Sequence, residues 1–258
     1  MDRLVLRSDE AGVACLTLNR PAARNALSVD LMTALEEALL AAQEDASVRV
    51  VVLAGAGPAF CAGHDLREMR ADPRRETHAA LFAQCSRLML LVQSLRQPVI
   101  ARVHGIATAA GCQLVATCDL AISADTARFA TPGVNIGLFC STPMVALTRS
   151  IGRKAAMEML LVGDSIDAAQ AQRLGLVNQV VSEAGLDAAV ASMAAKIAAK
   201  SPLTLAVGKE AFYRQAEMPV ADAYAYAAEV MTSNMQTRDA TEGIDAFLEK
   251  RVPVWTGR

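Results

Sequence analysis

The stretch that decides the fold is Pro98-Val99-Ile100-Ala101-Arg102-Val103-His104-Gly105-Ile106-Ala107-Thr108-Ala109-Ala110-Gly111-Cys112-Gln113-Leu114. Its first six residues are mostly apolar and β-branched, and they read as a buried strand. His104-Gly105 turns the chain. A run of small residues, Ile106 to Gly111, leads into a short apolar helix, Cys112 to Thr117. Small residues at such a place let a ligand approach the backbone. The unpaired N–H groups of a helix N-terminus then face it. Two converging N–H groups make an oxyanion hole.

A second loop of the same kind lies upstream. The β-branched run Val48-Arg49-Val50-Val51-Val52-Leu53 leads through Gly55-Ala56-Gly57-Pro58 to Phe60-Cys61-Ala62-Gly63-His64-Asp65-Leu66. It is not a dinucleotide fingerprint, because Phe60 stands where G-x-G-x-x-G needs its third glycine. Outward from these loops the units repeat. Arg3–Arg7 and Val13–Leu18 alternate as a hairpin around Asp9–Gly12. Ser28 caps a helix with Leu31, Leu35, Ala38, Leu39 and Ala42 on one face. A helix over 76–96 precedes the strand at 98–103, and Asp119–Ser123 forms another strand. After Gly163 the chain reads as mainly helical. Asp167–Gln170 forms a capping box, Leu174-Gly175 a stop, and Ser201-Pro202 a helix start. Residues 188–200 read as a helix with an exposed face. The pattern is α/β, with strand–strand–helix units first and a helical tail from about residue 196.

Composition excludes several function classes. Twenty-five basic and 27 acidic side chains give a formal charge of −2, so nothing in the charge favours nucleic acid or an anionic membrane surface. Aromatic residues make up 4%, too few for base-stacking platforms. A hydrophobic content of 53% and a mean hydropathy of +0.28 exclude a disordered chain. The six cysteines form no C-x-x-C pair and only three histidines are present, so no metal site is expected. No apolar run reaches the length of a membrane helix. Met1-Asp2-Arg3-Leu4 lacks signal-peptide character. Free thiols suit a reducing compartment, and the expectation is a cytoplasmic protein.

Together the segments resemble the crotonase (enoyl-CoA hydratase/isomerase) superfamily over essentially the whole chain. The resemblance is carried by Leu16-Thr17-Leu18-Asn19-Arg20-Pro21 with Arg24-Asn25-Ala26-Leu27, and by Ala59–Leu66. It continues through Val103-His104-Gly105 to Gly111-Cys112, Cys118–Ser123, and Phe247-Leu248-Glu249-Lys250-Arg251-Val252-Pro253. These motifs specify the superfamily much better than a reaction. The resemblance implies a crotonase/ClpP-like spiral of ββα units over 1–195. It also implies a C-terminal helical trimerisation domain over 196–258, and homotrimers that often pair into hexamers. It implies acyl-CoA as substrate, no cofactor beyond the CoA that the substrate carries, and a place in fatty acid metabolism. The oxyanion-hole N–H groups would come from His64 and Ala110. Arg24, Ala62, Gly63, His64 and Leu66 would contact CoA, with Lys250 of a neighbouring chain near its phosphates. The activity implied is that of a carbon–oxygen lyase of enoyl-CoA hydratase type.

The chain departs from the hydratase pattern at two positions. Family hydratases place and activate water with two glutamates, whose positions align with Gln113 and Gly133. Gln113 hydrogen-bonds but takes no proton at neutral pH. General acid–base catalysis contributes about 10²–10⁴-fold, so hydration by that route is not expected. The stretch Ala130–Pro143, with His64-Asp65 and Ala109–Gln113, resembles the subgroup called enoyl-CoA hydratase domain-containing protein three. The alternatives are a decarboxylase, an isomerase, a thioesterase, or an acyl-CoA binder without catalysis. His64 has a suitable ordinary pKa beside the hole, although its backbone alone satisfies the pattern. Asp65 and His104 read as structural, and Glu68 as a solvated helix residue. Cys140, Ser141 and Thr142 are candidates to line the acyl pocket. Asn135 reads equally as a pocket or a turn residue, and Trp255 as an interface residue.

Overall fold

The computed structural model describes residues 3–258. Strands β1 (Val5–Glu10) and β2 (Val13–Leu18) form the antiparallel hairpin, with Val5 opposite Leu18. Its turn is Ala11-Gly12, both at positive φ. Helix α1 (Val29–Glu44) starts where Ser28 Oγ accepts from Leu31 N at 3.1 Å. β3 (Val50–Gly55) is buried along its whole length and runs parallel to β2. Helices α2 (Leu66–Ala71) and α3 (Arg75–Ser94) follow. Next come β4 (Val99–Val103), β5 (Ile106–Thr108) and α4 (Ala110–Thr117). They are followed by β6 (Leu120–Ala124), β7 (Arg128–Ala130), a 3-10 turn over Pro132–Ile136, α5 (Ser141–Ser150) and α6 (Arg153–Val162). The remainder is β8 (Ile166–Asp167), α7 (Ala168–Leu174), β9 (Gln179–Val181), α8 (Leu186–Ala198), α9 (Pro202–Gln215), α10 (Val220–Met235) and α11 (Arg238–Glu249).

The larger sheet has the order β1-β2-β3-β4-β6-β9 and the smaller one β5-β7-β8. The chain passes repeatedly from a strand of the large sheet, through a sharp turn, to the small sheet and then a helix. β4-β5-α4 and β6-β7-α5 are two such passes. Single bridges extend the second layer upstream, Cys61 with Ala107 and Leu27 with His64. This spiral stacks the ends of successive passes beside one another, so loops distant in sequence meet at one edge.

Alternation along β3 supplies both faces of the large sheet. Val51 and Leu53 pack in the main core with Leu31, Leu35 and Leu39 of α1 and Leu88 and Val92 of α3. Val50 and Val52 turn to the other face, where Ile100, Ile122 and Leu186, Val190 and Ala194 of α8 cover them. Each large aliphatic side chain so buried contributes about 1.5–3 kcal/mol. The two short strands β8 and β9 lie in the region expected to be mainly helical. β9 is only three residues long, and its pairing with β6 makes it a strand. Helix α4 begins two residues earlier than its apolar stretch suggests, at Ala110.

Helix α9 is tied to the core by a buried ion pair. Lys209 Nζ lies 2.7 Å from Asp119 Oδ2 and donates to the carbonyls of Val92 and Gln97. Tyr213 Oη donates to Asp119 Oδ1, and Val99 N to Oδ2. The C-terminal tail is held by Asp239, whose carboxylate accepts from Ser201 Oγ and from Thr256 N and Gly257 N. Trp255, expected at an interface, packs within its own chain. Its indole N–H donates to Ala199 O at 2.8 Å and its ring lies against Gly243.

Candidate active site

The two small-residue loops meet. Cys61 N donates to Ile106 O, Thr108 N to Cys61 O, and Thr108 Oγ1 to Ala62 O. The approach needs glycine at two positions. Gly63 has φ +91, and a Cβ on it would stand 2.9 Å from Ala109 Cβ, 3.0 Å from Thr108 O and 3.3 Å from Ala110 N. A Cβ on Gly111 would lie 2.1 Å from Cys61 O.

On the other side, residues 62–65 pair with residues 24–27. Ala62 N donates to Arg24 O, Leu27 N to Gly63 O, and Asp65 N to Leu27 O. This parallel pairing turns the His64 N–H away from the segment 24–27. Among the described residues that N–H has no acceptor. Ala110 is the first residue of α4, so its N–H is one of those a helix leaves unpaired, and it too has none. Two free backbone donors therefore flank the Gly63–Ala109 contact. Ala109, which delivers Ala110 to this place, has φ 49 and ψ −117, a conformation that strains a residue with a Cβ.

The side chains divide sharply. The His64 ring packs edge-on to Phe82, with centroids 5.6 Å apart. Both its nitrogens are buried without a hydrogen-bond partner. Burial, the largest influence on the ring, lowers its pKa, so the ring is neutral at pH 7. Asp65 is structural as expected. It caps α2 at Arg67 N and Glu68 N and pairs with Arg20 at 2.9 Å. Burial works to raise its pKa, and the hydrogen bonds from Arg20, Arg67 N and Glu68 N outweigh it, holding the carboxyl low. Glu68 accepts from Val29 N at 3.0 Å in an exposed contact and so ties α2 to the start of α1. A single helix read alone gives no sign of that contact. His104 is structural, with one ring nitrogen 2.7 Å from Gly57 O.

Gln113 lies in α4, 5% exposed, with Cys85 Sγ 4.0 Å from its Oε1. Cys85 of α3 meets Gln113 of α4 across two helices, a contact that no local sequence pattern announces. Gly133 is buried under the loop that follows it. A Cβ there would stand 2.6 Å from Leu138 O and 2.9 Å from Cys140 Sγ. Burial raises the Cys140 thiol pKa, so it is not a thiolate nucleophile at neutral pH. Asn135 is exposed. Arg24 and Leu66 lie on the surface beside Ala62 and His64. Lys250 sits exposed at the left-handed cap of α11. No group of three His, Cys, Asp or Glu side chains among the described residues is arranged to hold a metal ion. Among the described residues no helix is long and apolar enough to cross a membrane.

Comparison with known proteins agrees with this architecture. The enoyl-CoA hydratase/isomerase family model matches residues 8–258. A Mycobacterium smegmatis structure described as enoyl-CoA hydratase is 57% identical, with a TM-score of 0.96 over 98% of this chain and 99% of that one. The structure of human enoyl coenzyme A hydratase domain-containing protein 3 is 43% identical, with a TM-score of 0.95 over 98% of this chain and all of that one. The Xenopus laevis protein of the same name, designated mitochondrial, is 46% identical over 98% of this chain and 86% of its own length. The mitochondrial designation is shared by the rat, mouse and human relatives. It overturns the expectation of a cytoplasmic protein. Free thiols report a reducing environment and do not distinguish one reducing compartment from another. The fold, the matched span and the shared identity agree: this chain belongs to the enoyl-CoA hydratase/isomerase family.

Proposed function

We propose that the protein binds an acyl-CoA thioester and stabilises its enolate form. The observation that carries this reading is the pair of acceptor-free N–H groups, His64 and Ala110, on either side of the Gly63–Ala109 contact. A thioester carbonyl that becomes an enolate gathers negative charge on its oxygen. Two preorganised donors stabilise that charge, and removing one such donor costs about 2.7–4 kcal/mol elsewhere. The ligand's CoA portion follows Arg24, Ala62, Gly63 and Leu66, with Lys250 of a neighbouring chain at the phosphates. Exposed apolar side chains of the last helices, Phe247 and Tyr224 among them, support assembly into trimers or hexamers through 196–258. No cofactor is invoked beyond the CoA of the substrate.

With glutamine at 113 and glycine at 133, no carboxylate stands at either position to place and activate water. That absence favours a reaction that needs an enolate hole more than a strong base, such as decarboxylation, in which loss of CO2 leaves the electron pair of the enolate behind. It also suits an acyl-CoA binder without turnover.

The test is spectroscopic. Acetoacetyl-CoA has an enolate form with its own ultraviolet band, and titrating it into the protein reads how far binding favours that form. The reading expects the enolate band to grow on binding. Binding with no growth of that band, or no binding, overturns it.

A further inference from the structure

Cys85 of α3 and Gln113 of α4 face one another across the helix contact, the Cys85 thiol donating to Gln113 Oε1 at 4.0 Å. Gln113 is almost fully buried, and a buried carboxamide takes its orientation from the partners the protein offers. Its oxygen has this one donor, and no protein acceptor meets its Nε2 among the described residues. Burial, with the nearby Glu36 carboxylate adding to it, pushes the Cys85 thiol up to about 12. The sulfur therefore keeps its proton and is a standing donor.

We infer that Cys85 is a positioning residue: by engaging the oxygen of Gln113, it leaves the Nε2 N–H groups as the edge turned toward the acyl part of the thioester. This inference rests on the thioester reading above. It makes the site one of donors, the His64 and Ala110 N–H groups and Gln113 Nε2. Such a site selects acyl groups that carry an oxygen acceptor close to the thioester carbonyl, and a 3-oxoacyl chain has that chemistry. The opposite orientation would turn the Nε2 edge to the sulfur and the thiol proton to Glu36, whose Oε1 is buried without a partner. The oxygen of Gln113 would then face the ligand, and the site would select donors.

The experiment compares the dissociation constants of acetoacetyl-CoA and butyryl-CoA, with free CoA as reference, by calorimetry on the full chain. The variants are Gln113→Leu, Cys85→Ala, Cys85→Ser and Glu36→Gln. The preference for acetoacetyl-CoA over butyryl-CoA is expected to fall about threefold to tenfold in Gln113→Leu, the size of one net hydrogen bond. Cys85→Ala is expected to lose most of the same preference, and Cys85→Ser, which restores a donor, to recover it. Enolisation in the backbone hole is common to all variants and does not alter these differences. An unchanged preference in Gln113→Leu or in Cys85→Ala overturns the inference. So does a preference lost in Glu36→Gln and kept in Cys85→Ala, which marks the opposite orientation. If neither thioester binds more tightly than free CoA, the thioester reading itself fails and takes this inference with it.

Discussion

Gly133 lies directly beneath Leu138: a Cβ on the glycine would stand 2.6 Å from the Leu138 carbonyl oxygen. The Leu138 N–H in turn donates to Gly133 O at 2.9 Å. The space beside Gly133 is thus closed by backbone, with Cys140 Sγ on the same side. Replacing Gly133 by Glu requires the loop 134–140 to move. Gly133→Ala is expected to destabilise the protein by about 1–3 kcal/mol through overpacking. Thermal denaturation would read this as a fall of about 2–4 °C per kcal/mol. Gly133→Glu with Gln113→Glu is expected to gain no hydratase activity. An unshifted melting temperature in Gly133→Ala would show that the space is open.

Ala109 holds a backbone conformation suited to glycine, φ 49 and ψ −117. Strain of this kind costs about 1–3 kcal/mol, and the greater freedom of glycine in the unfolded chain offsets about 0.5–1 of it. Ala109→Gly is therefore expected to stabilise the fold by about 1 kcal/mol. Chemical denaturation of the two proteins side by side measures it, and a destabilised variant would contradict the strain.

Lys209 and Asp119 are both largely buried, and removing one member leaves the other charge uncompensated. Lys209→Met is expected to cost about 3–5 kcal/mol and to loosen α9 from the core. Hydrogen exchange at β4 and α9 would report the loosening directly. A loss below about 1 kcal/mol would mean that water reaches Asp119 readily.

His64 is buried neutral, and its folded-state pKa is depressed, first by desolvation. The unfolded chain therefore takes up its proton at a higher pH than the folded chain does. The associated stability is complete above about pH 6.5, the ordinary histidine value. It declines as the pH falls through that value toward the folded pKa. A His64→Gln variant is expected to show a flatter stability profile between about pH 7 and 5. Parallel profiles for the two proteins would remove the ring from the account.

Much of this was legible in the residues. The Ser28, Asp167 and Ser201 caps announce their helices because the side chains that satisfy the first N–H groups are local. The meeting of the two small-residue loops is legible for a similar reason, since glycine at 63 and 111 is what lets them touch. What stayed hidden depends on contacts between distant segments. β9 is a strand through its pairing with β6, Glu68 is fixed by Val29, and Cys85 meets Gln113 across two helices. The closure of Gly133 by Leu138 could not be read from Thr131-Pro132-Gly133, because it depends on how the next five residues fold back.

The central claim is an enolate-stabilising thioester site without the hydratase carboxylates. It is tested most directly by incubating the purified protein with crotonyl-CoA. Loss of the conjugated thioester absorbance is followed, with mass spectrometry of the products. The account predicts that the thioester binds and that hydration stays far below the ordinary enzyme range of about 1–10³ s⁻¹. Hydration within that range would contradict it and would require another group to act as the base.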